Sequence, residues 1–130
     1  MAAHPTDAAW RPEGLDPIVR VVEAFRALDP DLPIQYALSF LTIAQNEGLS
    51  IRDLSERLGI AQSSASRNVA ALSKWHSFGK AGHDLVQAEE DPRERRRKVI
   101  TLTPQGRDLA RRLTDLLAPP ESQAPLRRTA

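Results

Sequence analysis

The sequence predicts a mainly α-helical chain carrying one small β-hairpin. Two observations lead to that class. Apolar residues recur at helical spacing in five separate stretches, and two short strand-like runs flank a densely charged turn. A third observation bounds the size. With 130 residues, 41% hydrophobic and 27% charged, the chain fits one globular domain with a modest core.

Taken in order, residues 1–14 mix Ala, Pro, Gly and charge without periodicity, and they read as a flexible arm with Trp10 docking on the body. From Asp16 the pattern changes. Ile18, Val21, Val22, Phe25 and Leu28 make one helical stripe, with Asp16 as N-cap and Pro17 at the first helical position. Asp29-Pro30-Asp31 ends this helix, and a second is expected from about Pro33 to Gln45. The apolar positions of that second helix (Ile34, Tyr36, Ala37, Leu38, Phe40, Leu41, Ile43, Ala44) surround most of its circumference, so it is expected to be the central, most buried helix. Asn46-Glu47-Gly48 breaks it.

Ser50-Ile51-Arg52-Asp53 has the form of a capping box, with Asp in the place of Glu. The short helix it opens turns Ile51, Leu54 and Leu58 inward and stops at Gly59. After Ile60-Ala61, residues 62–72 form another helix. Ala65, Val69 and Leu72 point inward, and Gln62, Ser63, Ser66, Arg67 and Ala70 make the other face. Two short helices joined through a glycine turn, the second small and polar outside, constitute a helix-turn-helix. A segment rich in aromatic residues and glycine, residues 73–84, leads to strands expected at 85–89 and 99–102. Thr103 and Pro104 then cap and open a last helix striped by Leu109, Leu113, Leu116 and Leu117. Pro119-Pro120 ends it, and residues 119–130 read as a disordered tail. The expected organisation is an arm (1–14), a winged helix-turn-helix domain with dimerising terminal helices (15–118), and that tail.

The chemistry points to a polyanion. Between the strands, Asp91-Pro92-Arg93-Glu94-Arg95-Arg96-Arg97-Lys98 places five basic residues within six positions on a hairpin turn, where they suit a phosphate backbone. A helix-turn-helix followed by strand, basic turn and strand is a winged helix, and the combination is more specific than either half. Gln62, Ser63, Ser64, Ser66 and Arg67 are types that hydrogen-bond base edges or hold phosphates in the major groove. Net charge is +1, but residues 1–65 carry 5 Lys/Arg against 9 Asp/Glu, while residues 66–130 carry 13 against 8. Only one part of the surface is built to face a polyanion.

Three stretches together resemble the MarR (multiple antibiotic resistance regulator) family, over roughly residues 33–117. They are Gly59-Ile60-Ala61-Gln62-Ser63-Ser64-Ala65-Ser66-Arg67-Asn68-Val69-Ala70-Ala71-Leu72, the basic turn with its Asp-x-Arg core, and Leu102-Thr103-Pro104-Gln105-Gly106. The resemblance implies a homodimeric transcription regulator, with repression the expected sign, that binds double-stranded DNA. The recognition helix would enter the major groove, and the wing arginines Arg93, Arg95, Arg96 and Arg97, with Lys98, would lie on the adjacent backbone or minor groove. Asp91 would orient a wing arginine through a salt bridge. Terminal helices would build the dimer, and a small-molecule effector, unknown here, is a feature of such proteins. The chain departs from the family at Ala61, where a Ser cap is usual, in the longer 73–84 connection, and in the short final helix.

The remaining residues exclude more than they add. The absence of Cys removes disulfides, thiolate chemistry and Cys-ligated zinc. His76, His83 and Asp84 are the nearest approach to a metal set and read better as loop residues, so no cofactor is expected. Trp75 and Phe78 read as cover for the core beneath the connection, and Arg107, Arg111 and Arg112 as a solvated face. No phosphate loop, catalytic triad or paired-acid motif occurs, so no enzyme is expected. No apolar run approaches the ~18 residues of a membrane span, and the first residues lack the order of a secretion signal, so the cytoplasm, at the nucleoid, is the expected compartment. The alternative function is a winged-helix protein-interaction or architectural module without a specific operator.

Overall fold

The computed structural model describes residues 10–74, 81–94 and 96–118. Residues 1–9 of the expected arm, Trp75, His76 and Phe78 of the connection, Arg95 of the wing and the tail 119–130 lie outside the described residues. Among those described, the fold is five α-helices and one two-stranded antiparallel hairpin. The chain divides into two compact units, one of residues 31–111 and one of residues 1–30 with 112–130.

The larger unit begins with α2 (Ile34–Gln45), α3 (Ile51–Leu58) and α4 (Gln62–Leu72). At the start of α3 the Ser50 hydroxyl accepts the Asp53 N–H at 3.1 Å, and the Asp53 carboxylate accepts the Ser50 N–H at 3.2 Å. The capping box therefore closes with Asp in place of Glu, contributing about 1 kcal/mol. Gly59 ends α3 in the left-handed region at φ 67°, which a side chain would oppose. Ile60 and Ala61 then reverse the chain into α4. Phe40 and Ile43 of α2, Leu54 of α3, Leu72 of α4, and Leu85 and Ile100 of the hairpin region are buried almost completely. Each stabilises the unit by roughly 1.5–3 kcal/mol.

The second helix is not buried all round. Ser39, Phe40 and Ile43 are its buried residues, whereas Ile34 is 84% exposed and Leu38 and Leu41 are also exposed. One face of α2 packs on α3, α4 and the hairpin, whereas Ile34, Leu38 and Leu41 lie on the exposed side. A nearly uniform apolar composition could not distinguish the two faces.

Strands β1 (Val86–Glu90) and β2 (Lys98–Leu102) pair from Val86 opposite Leu102 to Glu90 opposite Lys98, within one residue of the expected limits. Leu49 adds a bridge to Ile100: Gly48 N–H donates to the Ile100 carbonyl at 2.8 Å and Ile100 N–H to the Leu49 carbonyl at 2.9 Å. Glu47 reinforces that corner. Its carboxylate accepts the Leu102 N–H at 2.9 Å and both terminal nitrogens of Arg107 at 3.0 Å. Arg107 thus ties α5 (Pro104–Leu117) to the turn after α2 while staying on the exposed face that its sequence position implied.

The start of α5 is set by Thr103, whose hydroxyl donates to the Asp84 carbonyl at 2.6 Å and accepts the Gly106 N–H at 3.0 Å. Helix and hairpin meet so closely here that a Cβ on Gly106 would overlap the Leu85 carbonyl oxygen.

In the smaller unit a single 3-10 turn, Pro12–Leu15, runs directly into α1 (Asp16–Leu28). Asp16 is therefore the first helical residue and not the N-cap; Leu15 already has helical angles, so no extended residue is free to cap. Trp10 is 59% exposed and does not dock. Phe25 and Leu113 are buried, while Ile18, Val19 and Val22 are each more than half exposed. The stripe expected from Ile18 to Leu28 is real, but its first half faces solvent.

Gly106→Ala should lower stability by about 1–3 kcal/mol, because the new methyl meets rigid backbone and not a side chain able to turn away. A urea midpoint unchanged from the parent protein would show that the close approach is not required.

Candidate nucleic-acid interface

Helix α4 begins after Ala61, whose angles (φ −65°, ψ 150°) are those of an N-cap but whose side chain offers no oxygen. Its inner face is Ala65, Val69, Ala71 and Leu72, together with Asn68. Asn68 donates from Nδ2 to the Ser39 hydroxyl at 3.0 Å, and both residues are buried. This polar pair joins α2 to α4 inside the apolar core and disfavours rotation of α4, since turning the helix would leave both groups unpartnered. The sequence reading missed it. The signal was present: residues 65, 68, 69 and 72 form an unbroken i, i+3, i+4, i+7 set, and Asn68 is its one polar member.

With the inner face fixed, Gln62, Ser63, Ser66 and Arg67 are exposed and Ser64 is half-buried. Arg67 Nη2 donates to the Ser64 hydroxyl at 3.3 Å, an exposed contact that lays the guanidinium along the first turns of the helix. Residues 62–67 span about 7.5 Å of helix rise and carry amide, hydroxyl and guanidinium groups without a bulky side chain between them.

The wing is attached to the end of α4. His83 N–H donates to the Ala71 carbonyl at 3.1 Å, Asp84 N–H to Ser73 at 3.2 Å and Leu85 N–H to Leu72 at 2.7 Å. The hairpin thus leaves the body directly beside the last turn of the helix, despite the long connection. At its tip, Asp91 N–H donates to the Arg97 carbonyl at 2.9 Å and Arg97 N–H to the Glu94 carbonyl at 2.9 Å. The Asp91 carboxylate accepts the Arg93 backbone N–H at 2.9 Å, so this residue organises the loop through the main chain. Arg93, Arg96, Arg97 and Lys98 are all exposed. Arg97 differs from the others: its Nη2 lies 3.0 Å from the Asp53 carboxylate at the start of α3.

Asp53 is held below the ordinary carboxylate value. The Ser50 backbone N–H is the main cause; the Ser50 side chain and the charges of Arg97 and Arg57 add to it, and desolvation opposes them. A carboxylate with a depressed folded pKa contributes stability above its unfolded value, about 3.9, and loses it as pH falls through the folded value. Among the described residues no group of three or more His, Asp or Glu side chains could hold a metal ion, and no helix is long and apolar enough to cross a membrane.

Comparison with known proteins agrees with this arrangement. A family model for winged helix-turn-helix DNA-binding domains matches residues 41–74, from late α2 through α4. The structure is similar to RV1404 from Mycobacterium tuberculosis, with a TM-score of 0.66 and 20% identity over 98% of this chain and 91% of that one. It is also similar to a MarR-like transcriptional regulator from Thermotoga maritima, with a TM-score of 0.58 and 21% identity over 81% and 73% of the two chains. The fold is that of the MarR-type winged helix-turn-helix regulators. FabT from Streptococcus pneumoniae, solved in complex with DNA, shares this fold at a TM-score of 0.53 and 15% identity over 76% of this chain and 71% of its own. No protein of curated function matches the sequence. Within the MarR-type fold, the Leu-Thr-x-x-Gly stretch has a physical basis here: Thr103 caps α5 and Gly106 lets that helix touch the hairpin.

Because Ala61 already has N-cap angles, Ala61→Ser should stabilise the protein by about 1 kcal/mol, read as a raised denaturation midpoint. A neutral or negative change would mean that the first turn of α4 is satisfied in another way.

Proposed function

We propose that this chain is a sequence-specific DNA-binding transcription regulator that acts as a homodimer at the nucleoid and represses by occupying its operator. The observation that carries the reading is the outer face of α4. Gln62, Ser63, Ser66 and Arg67 are exposed together on a helix whose rotation is fixed from inside by Asn68, Ala65, Val69 and Leu72. Gln pairs with adenine, Arg with guanine, and Ser with either, while short neighbours let the backbone approach the major groove. Ser64 orients Arg67. The wing supplies Arg93, Arg96 and Lys98, exposed and without ion-pair partners among the described residues, to the adjacent phosphates or minor groove. The match of residues 41–74 to winged DNA-binding domains and the DNA complex of FabT support the same reading.

Homodimer formation is supported by the smaller unit. Leu15, Ile18, Val19 and Val22 line an open apolar groove bordered by Glu23 and Arg26. A second copy would cover this surface, and a two-fold dimer would carry two reading helices to the half-sites of a palindrome.

Arg67→Ala should weaken binding by about 1–3 kcal/mol and relax preference at one base pair; equal weakening on every duplex would reduce Arg67 to a phosphate contact. Arg93→Ala and Arg96→Ala should each reduce the slope of log affinity against log salt by ~0.9. Unchanged slopes would remove the wing from the interface. Sedimentation should find a dimer that Val22→Asp splits into monomers, whereas a monomeric parent protein would contradict the dimer.

A further inference from the structure

We infer that Arg97 is the positioning residue of the wing, anchored to the helix-turn-helix through Asp53, and not one of its phosphate contacts. The inference rests on the DNA-binding reading above and reassigns one of the five wing cations within it. Arg97 occupies two roles at once. Its backbone closes the loop, accepting the Asp91 N–H and donating to the Glu94 carbonyl, each at 2.9 Å. Its guanidinium reaches a carboxylate 44 positions away in sequence, at 3.0 Å. The loop closure and the tether therefore share one residue, and holding the guanidinium holds the loop base.

The other end of the tether is equally fixed. Asp53 is a half-exposed side chain whose carboxylate also accepts the Ser50 N–H, so it cannot swing away without opening the α3 capping box. Arg52, next to Asp53 in the chain, is engaged by Glu56 at 3.2 Å. Among the described residues Arg97 is the cation within hydrogen-bond distance of Asp53. It thereby joins the wing to the helix that immediately precedes α4. Among the described residues, Arg93, Arg96 and Lys98 have no such restraint. They remain free to meet phosphate, at an angle that Arg97 sets. Using Arg97 on DNA would require breaking this pair and leaving a carboxylate facing the polyanion.

The test compares the parent protein with Arg97→Ala, Asp53→Asn and the double variant. Asn keeps an oxygen for the Ser50 N–H, so the capping box survives. Fluorescence anisotropy would use the DNA immediately upstream of the gene and a scrambled duplex, over a salt series. Both single variants should bind about two- to fivefold more weakly, the range expected for an exposed ion pair, with the salt slope unchanged. The double variant should be no weaker than the weaker single. The Asp53→Asn result is the sharper one, because deleting a negative charge near DNA would otherwise tighten binding. A slope reduced by ~0.9 in Arg97→Ala, with Asp53→Asn equal to or tighter than the parent, would overturn the inference and make Arg97 a phosphate contact. Amide hydrogen exchange without DNA supplies an independent readout. The Asp91 and Arg97 amides should exchange faster in both single variants, and unchanged rates would overturn the tether. A parent protein that binds neither duplex would reject the DNA-binding reading, while exchange still decides whether Arg97 holds the wing.

Discussion

The rotational setting of α4 is the constraint on which the rest of the structure depends. Successive residues of an α-helix turn by about 100°, so an error of one position would turn either Ser66 or Arg67 into the core. Apolar packing of Ala65, Val69 and Leu72 alone is permissive, because small side chains tolerate some rotation. The Asn68–Ser39 hydrogen bond is directional. Buried and paired across two helices, it is satisfied in one setting and leaves two unpartnered polar groups in others. The outer face of α4 is therefore as well defined as its inner face.

The hairpin inherits its position from that helix. Three backbone hydrogen bonds from residues 83–85 to residues 71–73 start β1 beside the last turn of α4. The Leu49–Ile100 bridge and Glu47 anchor β2, and Thr103 with Gly106 joins β2 to α5 without slack. At the far end Arg97 reaches back to α3. The wing is thus held at root and tip to the same helix pair, which suits a surface that must present cations at a fixed distance from a reading helix.

What was legible in the sequence was what local chemistry determines. The Ser50/Asp53 capping box, the Gly59 stop, the limits of α4 and the Thr103-Pro104 start of α5 each depend on residues within four positions of one another. The outward set on α4 followed from the period of the inward one. The features that escaped are those settled by distant partners. Arg107 resembles any exposed helical arginine until Glu47, 60 positions away, comes within 3.0 Å. Arg97 resembles its neighbours until Asp53 does the same. The exposed side of α2 was hidden by composition, because Ile34, Leu38 and Leu41 are as apolar as the buried Phe40 and Ile43. Asp16 was displaced from its capping role by a 3-10 turn that no local motif announces.

The central claim is that this winged helix reads DNA sequence. The most direct measurement is the affinity of the parent protein for the DNA upstream of its own gene against a scrambled duplex, in the same salt series. A preference of ~10³ or more for the upstream duplex is the predicted result for a regulator acting at its own promoter. Equal affinity for the two, or binding to neither at low salt, would contradict it.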